Sequence, residues 1–61
     1  MLIEDLKVGQ RVVCLMDGAD VGVVQSIDYC DRIVYVLWPV YGVPGRTDVM
    51  DADPGDLEPA P

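Results

Sequence analysis

The sequence predicts an all-β chain: five short antiparallel strands bent into one small barrel. Three observations carry this expectation. Gly22, Val24 and Ile27 are followed, after a polar turn, by Val34, Val36 and Trp38, the spacing of two half-buried strands joined by a hairpin. Prolines at positions 39, 44 and 54 exclude long strands after Trp38, because proline cannot donate a ladder hydrogen bond. Helix signals are essentially absent.

The elements follow in order. Residues 2–9 form a lead-in, with Leu6 placed to pack beneath the first strand and Gly9 allowing a sharp entry. In the first strand, residues 10–16, Val12, Cys14 and Met16 share one face and Arg11, Val13 and Leu15 the other. Both faces are largely apolar, which is unusual for a strand with one side in water. Asp17-Gly18 is a strong hairpin-turn signal.

The second strand spans residues 20–28. Its apolar positions Val24 and Ile27 are three apart rather than two, which predicts a bulge or bend near Gln25-Ser26. Residues 28–31 form a polar turn, and residues 32–38 the third strand. There Val34, Val36 and Trp38 face one side while Ile33, Tyr35 and Leu37 face the other. Residues 39–45 read as an ordered, partly apolar loop, and residues 46–50 as a fourth strand with Val49 turned inward. Residues 53–56 form a turn or a single 3₁₀ turn before Leu57, the last core residue. The domain thus covers residues 1–57, and residues 58–61, with two prolines, are expected to fray. The expected core is Leu6, Val8, Val12, Cys14, Val24, Ile27, Val34, Val36, Trp38, Val49 and Leu57.

Sixty-one residues bury little surface, about 60% of what the unfolded chain exposes, so a single core is marginal without reinforcement. Cys14 and Cys30 are too few for a disulfide framework, and with no histidine the chain has no zinc-ligand pattern. Association is the reinforcement that remains. The 51% apolar content argues against disorder. No apolar run approaches the roughly 20 residues of a membrane span. Glu4 and Asp5 stand where a signal peptide would carry basic residues. The expected location is the cytoplasm, or a particle assembled there. Eleven acids against Lys7, Arg11, Arg32 and Arg46 leave a net charge of −7. Binding to a phosphate backbone depends on neutralising phosphates, so nucleic acid is not an expected partner.

The residues Gly9, Val12, Gly22, Val24, Ile27, Val34, Val36, Trp38, Val49 and Leu57, taken with their spacing, resemble an SH3-like barrel. KOW and Tudor modules share this layout, and the resemblance would imply nucleic-acid or peptide binding. The chain has neither their basic surface nor an obvious aromatic cage around a cation. It is also more weakly similar to the plasmid-borne trimethoprim-resistant dihydrofolate reductases, SH3-like barrels that assemble as tetramers around one pore. Their Val-Gln-Ile-Tyr signature is replaced here by Thr47-Asp48-Val49-Met50, after Pro44-Gly45. That resemblance implies fold and oligomerisation but not the activity.

Catalysis by a base beside a nucleophile finds no histidine, one lysine, and only Ser26 and Thr47 as aliphatic hydroxyls. Cys14 lies in an apolar strand, where a thiol is inert. Cys30 sits in a turn between Asp28 and Asp31, where negative charge discourages nucleophilic chemistry. Asp48, Asp51, Asp53, Asp56 and Glu58 do not follow a calcium-loop spacing. The expectation is therefore no enzyme, no cofactor and no metal. The surplus of apolar residues is more informative. Val13, Leu15, Ile33, Tyr35, Leu37 and Tyr41 remain outside the expected core, and an apolar patch of several hundred Å² usually marks an interface. The expected function is a small acidic protein-binding or assembly module whose partner is itself or another protein. Three alternatives stand behind it: an acidic inhibitor imitating nucleic acid, a KOW/Tudor-type binding module and, last, a reductase-like oligomeric enzyme.

Overall fold

Alternating apolar residues set the path of the chain. The computed structural model describes residues 1–16 and 20–61. Its strands are β1 (Arg11–Cys14), β2 (Val21–Asp28), β3 (Ile33–Pro39), β4 (Thr47–Ala52) and β5 (Leu57–Pro59), with 3₁₀ turns at Ile3–Asp5 and Pro54–Asp56. All pairings are antiparallel, in the order β4-β3-β2-β1-β5. The turn expected at Asp17-Gly18 lies outside the described residues.

The chain is all-β, but the sheet is not closed. β4 pairs with β3 and β5 with β1, so these two strands form the edges. β5 has three residues and ends in Pro59, which has no N–H to offer a further strand. A barrel seam between β4 and β5 is therefore missing from the ladder.

The expected bulge is present. Val24 pairs with Val36, yet the next pair is Ser26 with Tyr35, leaving Gln25 as the extra residue. Because of it, Val24 and Ile27 both face the side carrying Val34 and Val36, despite their odd spacing. Gly9 has a φ of +90°, a conformation that glycine adopts without a Cβ penalty, and its N–H donates to the Val24 carbonyl at 2.8 Å. The polar turn is held by Asp28, whose Oδ1 accepts from the backbone N–H groups of Cys30 and Asp31 at 3.0 and 3.1 Å.

Leu6, Val12, Val24, Val34, Val36 and Leu57 form one buried cluster, with Met1, Ile27, Trp38 and Ala52 packed against it. Each such aliphatic side chain contributes about 1.5–3 kcal/mol when fully removed from water. Two expected core residues are outside. Val49 pairs with Leu37 and so shares the opposite face of the sheet, 46% exposed, while Met50 and Ala52 stand across from Val36 and Val34. Val8 precedes the sharp turn at Gly9 and is 66% exposed. Ile3, in the first 3₁₀ turn, is buried although it is not among the expected core residues. Cys14 is half-buried.

The two ends of the chain meet. The Met1 ammonium donates to the carbonyls of Pro54 and Leu57 at 2.9 and 2.7 Å. Asp53 Oδ1 accepts from the Gly55 N–H at 2.8 Å and so starts the second 3₁₀ turn with a side-chain cap. Glu58 and Pro59, expected to fray, instead lie in β5, and the Ala60 N–H donates to the Arg11 carbonyl at 3.0 Å.

Candidate functional site

The ladder registers define two faces. The outer face, opposite the core, carries a row that crosses four strands: Arg11 pairs with Val23, Val23 with Leu37, and Leu37 with Val49. Directly paired residues point the same way, so Val23, Leu37 and Val49 form one apolar row. Beside it, Val13 pairs with Val21 and with Glu58, while Tyr35 pairs with Ser26 and Asp51. Ile33 pairs with Asp28 at the far end.

Of the residues expected to form an interface, Val13, Ile33, Tyr35 and Leu37 share this face and are half-buried. Leu15 lies just beyond β1, more than half exposed, with its N–H donating to the Asp56 carbonyl at 2.8 Å. Tyr41 sits in the β3–β4 loop at 97% exposure, outside the ladder that unites the others. Val21, Val23 and Val49 complete the face. Val21 and Val23 were legible as outward-facing from their parity; Val49 was not, because only the β3–β4 register places it.

On the opposite side, where the sheet stays open, a cleft of about 330 Å³ is lined by Cys14, Asp20, Trp38, Pro39, Met50, Asp51 and Ala52. Its shape depends on a glycine. A Cβ on Gly22 would lie 2.5 Å from Val36 Cγ1 and 2.7 and 2.8 Å from Trp38 Cε3 and Cζ3. The indole thus rests directly against the β2 backbone, half-buried and packed against the core cluster. The walls offer the Trp38 ring, the Met50 thioether and the Cys14 thiol, with the acid Asp20 in the same lining; Asp51 is also at the lining, but its side chain, paired with Tyr35, projects to the outer face. No lysine or arginine is among these residues. A second hollow, beside Met1 and Pro54, also contains Asp31, Arg32 and Asp53 and is of mixed charge.

Among the described residues, no group of three or more His, Cys, Asp or Glu side chains is placed to hold a metal ion. Nor, among the described residues, is any helix long and apolar enough to cross a membrane. No protein-family model, curated protein or solved structure matches the chain closely enough to give it a relative.

Proposed function

We propose that the chain is a small non-enzymatic assembly module of SH3-like architecture that associates with a second copy through its outer face. The architectural part is supported by the strand order, the bent β2 and the 3₁₀ turn before the last strand. The assembly part rests on one observation, the Val23–Leu37–Val49 row on a face where Val23 and Val49 are 39% and 46% exposed. Val23 is 39% exposed in the middle of a sheet, where a side chain in a covered sheet would be buried.

The size of the chain supports the same reading. A standard interface takes about 800 Å² from each partner, roughly a fifth of this chain's 4227 Å². A two-fold pairing, the commonest symmetry, would stack the two rows against each other and reinforce a core that is marginal alone.

Light scattering over a concentration series tests the proposal. The expected result is a dimer at micromolar to millimolar concentration, converted to a monomer by Leu37→Asp with the far-ultraviolet circular dichroism of the sheet retained. Val49→Lys, on the exposed edge strand, serves as a second variant that leaves the core untouched. A chain that is monomeric at every concentration refutes the proposal.

A further inference from the structure

We propose a second interaction site, on the other side of the sheet and independent of the dimer: the Trp38 cleft receives an arginine side chain from a basic protein partner. Three properties of the cleft point to this chemistry. Its lining includes an indole held against Gly22, and tryptophan is the strongest aromatic partner for a cation. Its walls are the apolar parts of Met50, Pro39, Ala52 and Cys14, which suit the aliphatic stem of a long cationic side chain. Its acid is Asp20, unopposed by any basic residue in the lining, whereas the Asp51 side chain, paired with Tyr35, projects to the outer face.

Charge complementarity selects the occupant. A second copy of this chain carries −7 and would bring acids to acids. A basic partner is instead drawn in by the field of the whole molecule. Arginine fits better than lysine because its planar guanidinium stacks on an aromatic face and presents a fork of donors to carboxylates. The volume, about 330 Å³, lies at the lower end of ligand-binding cavities and accommodates one long side chain with part of its flanking backbone.

Trp38 is the sole tryptophan, so its fluorescence reports on this cleft alone. The probes are a hexa-arginine peptide and its neutral isostere, hexa-citrulline. Hexa-arginine is expected to change Trp38 emission saturably and to protect the ring from acrylamide quenching, while hexa-citrulline does neither. Asp20→Lys reverses the charge of the cleft's acid and should weaken binding at least about fivefold. Glu4→Lys makes the same charge change outside the cleft lining and should leave affinity within about twofold. Both positions are exposed, and circular dichroism verifies that both variants fold. The proposal is overturned if hexa-arginine produces no saturable change, if hexa-citrulline binds equally, or if the two charge-reversal variants lose affinity to the same extent. The last outcome would mean that net charge alone attracts the peptide.

Discussion

Gly22→Ala is the sharpest perturbation this structure offers, because two opposing effects meet at one methyl group. In an ordinary strand the change stabilises by about 0.4–1 kcal/mol, since alanine restricts the unfolded chain. Here the added Cβ meets Val36 Cγ1 at 2.5 Å and the Trp38 ring at 2.7 and 2.8 Å. Neither neighbour yields easily. Val36 is fully buried with a stiff β-branched side chain, and the indole is a rigid plate already pressed on the core. Overpacking of this kind costs about 1–3 kcal/mol, so the clash outweighs the entropic gain. The net loss is roughly 1–2 kcal/mol, against a total stability of about 3–9 kcal/mol for a domain of this length. At about 4–8 °C per kcal/mol, Tm should fall by roughly 5–15 °C. Thermal unfolding followed by Trp38 fluorescence measures both the shift and the displacement of the ring. An unchanged or higher Tm would refute the placement of Trp38 on the β2 backbone, and the cleft it lines would go with it.

Three further predictions follow from the same packing. Ile3→Ala should destabilise by about 2–5 kcal/mol as a core truncation, whereas Val49→Ala should stay within about 0.5 kcal/mol; urea unfolding of both variants reads the inside and outside of the fold directly, and the reverse ranking would overturn the β3–β4 register. Acetylating the amine of Met1 removes its charge and leaves one N–H for the carbonyls of Pro54 and Leu57, so the urea midpoint of a synthetic acetylated chain should drop by the equivalent of about 1–3 kcal/mol; an identical midpoint would show these bonds to be of no energetic weight. Asp53→Ala deletes the acceptor for the Gly55 N–H and should cost about 1 kcal/mol in the same assay, with Asp53→Asn retaining most of it.

Local features were legible where a residue type allows one solution. The odd spacing of Val24 and Ile27 located the bulge, alternation sorted the two faces of β3, Gly9 marked a turn, and Leu57 had no apolar rival near the end of the chain. Val49 failed for a different reason. Val49 and Met50 are adjacent and both apolar, so parity alone offers either as the inward residue, and only the pairing set by the length of the β3–β4 loop decides. Ile3 escaped because a single 3₁₀ turn is too short to show a period. The open edge was equally hidden, since closure depends on where β4 and β5 come to rest, not on the composition of either. The candidate interface residues were chosen as leftovers after the core was filled, an inference that selected four members of the outer face together with Leu15, just beyond β1, and Tyr41, in the β3–β4 loop. The cleft was invisible for the opposite reason: Trp38 was assigned entirely to the core, and only its contact with Gly22 shows that a ring can line an opening while resting on packed side chains.

The extra residue at Gln25 bears on how this chain avoids misfolding. A strand is normally indexed by its hydrophobic pattern, because a slip of one residue turns its apolar side to water. β3 lacks that safeguard: exchanging Val34, Val36 and Trp38 for Ile33, Tyr35 and Leu37 replaces one apolar set with another. Shape must supply what polarity does not. The bulge divides β2 into two segments of opposite parity, so no single slide of β3 satisfies both, and the bare backbone at Gly22 accepts a tryptophan ring at one position along the strand. Together they act as a key with two teeth, admitting one alignment of a hairpin whose two sides are otherwise nearly interchangeable.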